Sequence, residues 1–339
     1  MKAAVFNSTG EPENVLSCQD IDEPVPGPGE VLVRMLASPI NPSDLLFVRG
    51  TYAVAPELPA TPGFEGVGIV EAAGSGLRSR LMMGKHVAVL SRRGGNWAEK
   101  NVVPASQVIP FSSMLTGTLS VEQRATFFVN PATAFIMTRH ILRVPPGAWL
   151  LQTAAGSELG RMVIRLGNRF DFRTLCVVRR QEQARELEQA GASAVVWFDP
   201  AKHDPRDLIS VVQKVTDGAG VPFAIDAVSG PVGSAAVQCL SPGGRMLLYG
   251  TLSNEPLSFP SRQLMETGAL LEGFWLGNYM STLKLPAKLG LIRSISALIR
   301  EGVLSSDIGS QFPLARIQAA VRAAEQPARQ GKVLLLAES

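Results

Sequence analysis

The sequence predicts an α/β protein in which a doubly wound parallel sheet is combined with a second, irregular β domain. Six short apolar segments lie between residues 148 and 276, and most of them lack polar/apolar alternation. Between the first five segments lie stretches whose apolar residues recur with the spacing of a helix. Non-alternating strands joined by helices are typical of a parallel sheet buried on both faces, a fold that binds nucleotides. The predicted strands are 148–153, 174–180, 194–198, 223–228, 245–250 and 269–276.

The start and the end of the chain have a different texture. Gly and Pro interrupt short strand-like segments in residues 1–120, which predicts an irregular antiparallel β domain with strands at 29–37, 66–74 and 84–90. A helix is expected from Ser120, with an interruption at Asn130-Pro131. The last 60 residues are too few for a domain and should pack on the N-terminal part. Their predicted elements are helices at 289–306 and 314–326 and a strand at 331–337.

Composition excludes several classes of protein. Apolar residues make up 46% of the 339 residues, charged residues 18%, and the net charge is +3. The sequence has no block of like charges, so nothing indicates a nucleic-acid partner. It also has no apolar stretch of 18 residues that would indicate a membrane span. The three cysteines and three histidines are isolated in sequence. We therefore expect no metal site, no disulfide framework and a cytoplasmic protein.

The segment 148–167 reads as a strand, a turn of small residues and a helix. A Rossmann turn has the pattern GxGxxG, whose three glycine positions are taken here by Ala155, Ser157 and Gly160, with Gly156 one position away. Small residues let a pyrophosphate approach the backbone, and the helix that begins near Glu158 and Leu159 would direct its N–H groups at the phosphates. The alternative is an ordinary tight turn between a strand and a helix.

The second predicted strand of this region ends in Arg179 and Arg180. Sites for NAD usually have an acidic residue there, whereas guanidinium groups suit the 2′-phosphate of NADPH. The sequence therefore favours NADPH, although Glu182 lies close by. The alternative is a solvated start of the next helix.

The chain resembles the medium-chain dehydrogenase/reductase superfamily in its zinc-free branch. It is similar to the quinone oxidoreductases and, more closely, to the 2-enoyl thioester reductases of fatty-acid synthesis. The resemblance runs in the same order through nearly the whole chain. It rests on the stretches 40–44, 49–52, 56–74, 129–135, 153–164, 272–276 and 331–336.

The resemblance implies two nested domains, a cleft between them and a homodimer. Residues 1–122 and 280–339 would form a GroES-like irregular β-barrel catalytic domain, and residues 123–279 an NADPH-binding Rossmann domain. The zinc-dependent branch has a Cys ligand near position 38 and Gly-His-Glu near 63–65. This chain has Ser38 and Gly63-Phe64-Glu65 there. Without a metal to support, Glu65 is interpreted as structural.

Tyr52 matches the tyrosine that serves the substrate carbonyl in the enoyl reductase branch. A phenol is protonated at neutral pH and can donate a hydrogen bond to an oxygen on which enolate charge develops. The alternative is a packing tyrosine at the edge of a loop. By the same resemblance, Asn41 would contact the cofactor, although an Asx turn before Pro42 explains it nearly as well.

The remaining predicted contacts surround the nicotinamide and the carboxyl edge of the sheet. A buried sheet strand is a second, compatible interpretation for the segment EGFWL at 272–276. The predicted residues are Asn130, Thr133, Tyr249, Gly250, Phe274, Trp275 and Leu276.

These observations lead to three functional hypotheses. The first is an NADPH-dependent reductase that transfers hydride to the activated C=C of an α,β-unsaturated carbonyl compound, with 2-enoyl thioesters as one candidate class. The second is an NADPH:quinone oxidoreductase, and the third is a non-catalytic NADPH-binding protein. In each case the partner is a small molecule, with no nucleic acid and no membrane.

Overall fold

The chain folds into two compact units. The computed structural model describes residues 1–111, 119–327 and 329–337. One unit comprises Met1–Val129 with Ser306–Ser339, and the other comprises Asn130–Ser305. The sequence placed the boundaries at 122/123 and 279/280, so the second boundary is 26 residues further along the chain than expected.

Contacts of helix Glu158–Phe170 explain the later boundary. Arg165 on this helix donates from Nε to the carbonyl of Val303 at 2.8 Å and from Nη2 to the carbonyl of Ser305 at 2.5 Å. Arg169 forms a 2.9 Å ion pair with Glu301. The chain up to Ser305 is therefore bound to the parallel-sheet unit, and residues 280–305 do not belong to the β domain.

The strands, numbered along the chain, form two larger sheets and one small one. In the described residues the strands are β1 Lys2–Val5, β2 Ser17–Asp20, β3 Glu30–Pro39, β4 Glu65–Ala73, β5 His86–Leu90, β6 Lys100–Pro104, β7 Val108–Pro110, β8 Trp149–Gln152, β9 Arg173–Val178, β10 Ala194–Trp197, β11 Val221–Asp226, β12 Leu240–Leu248, β13 Leu270–Gly273, β14 Ile308–Pro313 and β15 Lys332–Leu336.

The helices follow the same numbering. They are α1 Pro12–Val15, α2 Pro42–Arg49, α3 Leu77–Arg80, α4 Val121–Ala125, α5 Val129–Phe135, α6 Glu158–Phe170, α7 Glu182–Gln189, α8 Pro205–Val215, α9 Gly230–Val237, α10 Ser261–Thr267, α11 Leu276–Thr282, α12 Leu285–Arg300 and α13 Ile317–Glu325, with a π-helix at Ile136–Ile141 and a 3₁₀ turn at Leu314–Arg316. No helix in the described ranges is both long and apolar enough to cross a membrane.

The β-rich unit contains the pair β1–β2 and a sheet in the order β14-β15-β3-β4-β5-β7, with β6 also paired to β3. All its pairings are antiparallel except that of β14 with β15. The sequence predicts this irregular antiparallel domain because turn residues interrupt short strands.

The other unit contains the parallel sheet β10-β9-β8-β11-β12-β13. Counted within the unit, this is the order 3-2-1-4-5-6 of a doubly wound dinucleotide fold. Its core is made by apolar side chains that are less than a tenth exposed, among them Leu151, Leu175, Val177 and Ala224. Both faces of β8, β9 and β11 are largely covered, which explains why the sequence lacks alternation there.

Two local predictions are wrong. Asn130-Pro131 does not interrupt a helix; it lies in the first turn of α5, and the break falls between α4 and α5. Proline is tolerated there because the first N–H groups of a helix have no intrahelical partner. The last strand of the parallel sheet ends at Gly273 rather than at 276, and Leu276 begins helix α11.

Candidate functional site

The parallel sheet has its topological switch point between β8 and β11. These two strands are adjacent and parallel, but β9 lies on the other side of β8 and β12 on the other side of β11. The chain therefore leaves the two strands in opposite directions at their carboxyl ends, which opens a crevice where such folds bind ligands. Thr153 follows β8 and Asp226 ends β11, so both residues lie at this crevice.

The turn after β8 matches the predicted phosphate loop. Helix α6 begins at Glu158, and the Ser157 hydroxyl caps it by accepting the N–H of Gly160 at 3.1 Å. Ala154 has a φ of 48°, the left-handed region that normally favours glycine. An alanine thus adopts a backbone conformation that favours glycine, one residue before the first fingerprint position.

Gly160 allows the helix to approach the turn. A Cβ at this position would overlap the carbonyl oxygen of Ala155 and would lie 2.7 Å from its carbonyl carbon. A Cβ on Gly156 would overlap the side-chain amide of Gln183. The turn therefore keeps the close helix packing that the last glycine of a dinucleotide fingerprint provides, although two of the three motif positions are not glycine.

This turn fits a dinucleotide. The N-terminus of the 13-residue helix α6 lies directly after it, and unpaired N–H groups at such an end attract phosphate. The close packing of Gly160 on the Ala155 backbone, which places the start of the helix directly at the turn, is the structural observation behind this conclusion. Of the predicted contacts here, Ala155, Glu158, Leu159 and Gly160 are buried, and Gly156 and Ser157 are more accessible.

Arg179 and Arg180 directly follow β9, beside β8 in the sheet. Arg179 is exposed and Arg180 is half-buried. The Arg179 carbonyl accepts the indole N–H of Trp197 at 3.0 Å, which fixes the backbone at this point. Both arginines thus follow the carboxyl end of the second strand of the unit, where dinucleotide folds bind the ribose.

Asp226 and Thr153, which the sequence interpretation missed, bridge the two strands at the switch point. Asp226 is fully buried, and its Oδ1 accepts the Thr153 hydroxyl at 2.5 Å. The same hydroxyl accepts the N–H of Ala227 at 3.0 Å. An aspartate inside the otherwise apolar stretch FAIDAV is the signal that could have identified this bridge.

The loop after β11 is strained. Ser229 has φ 64° and ψ −156°, a region used almost only by glycine. Its N–H donates to Asp226 Oδ2 at 2.8 Å, and the N–H of Val228 donates to Oδ1 at 3.0 Å. The buried carboxylate therefore holds the loop in this conformation.

The loop after β12 covers the loop after β11. The N–H groups of Leu252 and Ser253 donate to the carbonyls of Ala227 and Val228 at 3.1 and 2.8 Å. A Cβ on Gly250 would lie 2.7 Å from the Ala227 oxygen, so the glycine is needed for this contact. Burial and the nearby Asp226 carboxylate raise the pKa of Tyr249, which keeps the phenol protonated.

The other predicted contacts in this unit lie on α5 and beyond β13. Asn130 and Thr133 are three residues apart on α5 and so share a face of the helix. Phe274 is buried, and its N–H donates to the Leu248 carbonyl at 2.8 Å. Trp275 is partly exposed and directly precedes α11, which Leu276 begins. Phe274 and Trp275 thus connect the end of β13 to α11, and none of the three predicted residues lies in the sheet.

Tyr52 lies in the β-rich unit at the end of a row of aromatic rings. Its ring centroid is 5.3 Å from that of Phe64, which is 5.2 Å from Phe47. Its N–H donates to the Leu46 carbonyl at 3.2 Å, just after α2. The ring is thus held in place while the residue stays partly exposed, which agrees with the packing interpretation, and the role at the substrate carbonyl stays a prediction.

Asn41 belongs to a buried polar cluster that also contains Glu65 and Lys332. Its Oδ1 accepts from the Lys332 ammonium, and its Nδ2 donates to Glu65 Oε2 at 3.4 Å. All three residues are at most 3% exposed. The amide is oriented by charges on both sides, so a contact with a cofactor would have to use its remaining hydrogen or lone pair. The sequence did not single out Lys332, whose partner is 291 positions away.

Glu65 stands where the zinc-dependent branch has the Glu of its Gly-His-Glu. Its Oε1 accepts the N–H groups of Phe128 and Val129 at 2.9 and 2.7 Å, at the start of α5. Burial raises its pKa, and these bonds and Lys332 oppose that effect. Ser38 donates to the Asn96 carbonyl at 2.8 Å. In the described residues no three His, Cys, Asp or Glu side chains are grouped to hold a metal.

Asp44 completes the cluster. It is fully buried on α2 and accepts the N–H of Asn41 at 2.7 Å and that of Phe64 at 2.9 Å. Burial raises the pKa of this carboxyl to about 7, against the lowering effect of the two bonds and of Lys332. Asp44 thus ties the segment before α2 to Phe64, the ring against which Tyr52 packs.

Comparison with known proteins agrees with this arrangement. Residues 27–113 match the alcohol dehydrogenase GroES-like domain family, and residues 159–289 match the zinc-binding dehydrogenase family. The mitochondrial enoyl-[acyl-carrier-protein] reductase of Bos taurus is 30% identical over 339 residues, covering 99% of this chain and 88% of the relative.

Two solved structures have the same fold over nearly their whole length. A Bacillus thuringiensis protein assigned as an NADPH:quinone reductase superposes with a TM-score of 0.89 at 30% identity, covering 99% of both chains. A mycobacterial protein in complex with NADPH superposes with a TM-score of 0.88 at 25% identity, covering 99% of this chain and 100% of that one.

A nested pair of units, one with a GroES-like β domain and one with a doubly wound dinucleotide sheet, defines an oxidoreductase of the medium-chain type. The chain belongs to the medium-chain dehydrogenase/reductase superfamily, in its zinc-free branch.

Proposed function

We propose that this protein is an NADPH-dependent reductase of α,β-unsaturated carbonyl compounds, with 2-enoyl thioesters as its substrate class. In the proposed reaction the β-carbon of the activated C=C receives a hydride and the α-carbon receives a proton. The observation that carries the proposal is Tyr52, a phenol held by the Phe64 ring in a chain that also has a dinucleotide turn.

NADPH, when bound, supplies the hydride. The turn at 154–160 and the N-terminus of α6 would hold its pyrophosphate, and Arg179 and Arg180 its 2′-phosphate. The mycobacterial relative of known structure was solved with NADPH, which supports this choice of cofactor.

Tyr52 would donate a hydrogen bond to the carbonyl oxygen of the substrate. A fixed donor aimed at developing negative charge stabilises the transition state more than the ground state. The tilted contact with the Phe64 ring and the N–H bond to Leu46 limit the movement of the ring. The phenol is therefore oriented before the substrate binds, which reduces the reorganisation needed in the reaction.

Quinone reduction on the same scaffold is the second candidate function. The Bacillus thuringiensis structure, whose assigned activity is of this type, is as similar in sequence as the bovine enoyl reductase. Both reactions deliver a hydride to an electron-poor carbon or oxygen conjugated with a carbonyl group, so the same cofactor site would serve either. A non-catalytic NADPH-binding role is the third candidate.

We propose further that the protein is a cytoplasmic homodimer. In the part of the chain that the structure describes, β13 pairs only with β12, so it is an edge of the parallel sheet. Leu270 on this strand is 53% exposed. An open strand edge with exposed apolar side chains is suited to pairing with a second copy of the chain.

A purified-protein assay tests the function. NADPH oxidation is followed with crotonyl-CoA in one series and with 1,4-benzoquinone or a naphthoquinone in the other, and NADPH binding is measured by titration. Turnover of crotonyl-CoA supports the enoyl reductase, and turnover of the quinones alone supports the second candidate. Binding without turnover supports the non-catalytic role. If NADPH does not bind, all three are wrong.

A further inference from the structure

The buried carboxylate of Asp226 accepts a hydrogen bond from the backbone of Ser229, whose conformation is strained. Ser229 has φ 64° and ψ −156°, a conformation that a residue with a Cβ avoids. Such a conformation persists only where the surroundings impose it, and it is found most often at functional sites. The strained loop lies at the carboxyl end of β11, one of the two strands that flank the switch point.

One carboxylate restrains the loop from inside the fold, in addition to the backbone bonds that Leu252, Ser253 and Glu255 make to it. Asp226 Oδ2 accepts the N–H of Ser229 at 2.8 Å, and Oδ1 accepts the N–H of Val228 at 3.0 Å. The side chain is completely buried, so these bonds have little competition from water. Gly233 on α9 leaves room for the carboxylate, because a Cβ there would lie 2.6 Å from Oδ2.

Thr153 connects this loop to the turn that fits the pyrophosphate. Its hydroxyl donates to Asp226 Oδ1 at 2.5 Å and accepts from the N–H of Ala227 at 3.0 Å. The next residue is Ala154, which opens the phosphate turn with its φ of 48°. The two backbone segments that flank the crevice are therefore joined through one hydroxyl and one carboxylate.

We infer that Asp226 is a positioning residue for the bound dinucleotide: through Thr153 and the strained Ser229 it sets the shape of the switch-point crevice. Asp226 itself is buried and acts through the backbone of residues 227–230. This inference rests on the proposed NADPH site. It adds a residue outside the fingerprint and a mechanism, restraint of an unfavourable loop conformation, by which cofactor affinity is set.

Asp226→Asn provides the first test. The amide has nearly the same size but only one acceptor oxygen, so its NH₂ group would face either the Ser229 N–H or the donors at Oδ1. We expect the dissociation constant for NADPH, measured by fluorescence titration, to rise about tenfold through the loss of a bond to a charged group. Asp217→Asn is the matched control, because Asp217 is in the same unit at a φ of 51° but lies between α8 and the amino end of β11, away from the crevice at the carboxyl ends.

Rescue by Ser229→Gly separates positioning from general stability. Glycine adopts φ 64° and ψ −156° without the penalty of a Cβ, so the loop then depends less on the carboxylate. We expect the double variant Asp226→Asn/Ser229→Gly to bind NADPH within about threefold of the wild-type protein. Thermal unfolding of all variants is recorded alongside.

The outcomes are distinct. A dissociation constant for NADPH that does not change in Asp226→Asn overturns the inference, even if the melting temperature falls. A weakened affinity that Ser229→Gly does not restore overturns it as well. If Asp226→Asn does not fold, Thr153→Val is used instead, because it removes one donor to the same carboxylate. Thr153→Val should raise the dissociation constant for NADPH several-fold, whereas Thr153→Ser should not. Equal dissociation constants for these two variants contradict the inference. If the wild-type protein itself does not bind NADPH, the proposed function has failed instead.

Discussion

The ring of Tyr52 lies 5.3 Å from the ring of Phe64 at an interplanar angle of 41°. Phe64 is fixed in turn because its N–H donates to the buried carboxylate of Asp44 at 2.9 Å. The position of the phenol therefore depends on aromatic packing, which a phenylalanine would preserve. This makes the hydroxyl of Tyr52 separable from its ring by experiment.

Tyr52→Phe should lower kcat for an enoyl substrate by about 10²–10³, the usual effect of removing one donor to a developing oxyanion. The dissociation constant for NADPH and the melting temperature should stay close to those of the wild-type protein. Tyr52→Ala should lose both the activity and part of the stability, because it removes the ring. Unchanged turnover in Tyr52→Phe would exclude the phenol from the mechanism.

Arg179→Ala/Arg180→Ala should weaken NADPH binding much more than NADH binding. Each charge-assisted hydrogen bond to a phosphate contributes about 1.5–3 kcal/mol, and NADH lacks the 2′-phosphate. Arg185→Ala, on the exposed side of α7, is the control and should leave both constants unchanged. An unaltered preference for NADPH in the double variant would place the 2′-phosphate elsewhere.

Gly160→Ala should destabilise the protein and weaken NADPH binding. The new Cβ would overlap the Ala155 backbone, which cannot move as a flexible side chain can, so we expect a loss of about 1–3 kcal/mol in the free energy of unfolding. Gly290→Ala in α12 is the opposite case: nothing lies within 4 Å of its Cβ, and alanine there should stabilise by up to about 1 kcal/mol. Denaturant titration measures both, and equal effects would contradict the proposed close approach.

Asp44→Asn should change how stability depends on pH. The pKa of Asp44 is raised from 3.8 to about 7, so the folded state binds this proton more tightly than the unfolded state. Its stabilising contribution is complete below the unfolded pKa and is lost as the pH rises to about 7, at about 1.4 kcal/mol for each unit of difference.

The free energy of unfolding of the wild-type protein should therefore fall more between pH 4 and pH 7 than that of Asp44→Asn. Part of the slope remains in the variant, because the pKa of Glu65 is raised as well. Denaturant unfolding at several pH values measures the difference. The absolute stability of the variant is not the readout, since the amide replaces one acceptor; parallel pH profiles for the two proteins would contradict the raised pKa.

Local features of the sequence predicted the parallel sheet and its phosphate turn. Leu151 and Val177 lie in apolar runs that can be recognised as strands from the neighbouring residues alone. Ser157 is likewise recognisable as a cap because the helix begins at the next residue. The irregular β domain was predicted from its turns, and the nested domains from the resemblance.

Contacts between distant residues could not be predicted in the same way. Lys332 and Asn41 are 291 positions apart, and Thr153 and Asp226 are 73 apart. Nothing in the sequence around each of these polar side chains indicates its partner, because only the folded chain brings the two together. The boundary at Ser305 was missed for the same reason, because it depends on hydrogen bonds from Arg165.

The sequestered thiols have a chemical consequence for a reductase of this kind. Under the proposed function the enzyme works among enones or quinones, and such compounds alkylate thiolates. Burial raises the pKa of Cys176 to about 11 and that of Cys239 to about 12, which keeps both in the unreactive thiol form. Among the three cysteines, only Cys18 is partly accessible. The two buried thiols should therefore not react with electrophiles, and covalent labelling should be confined to Cys18.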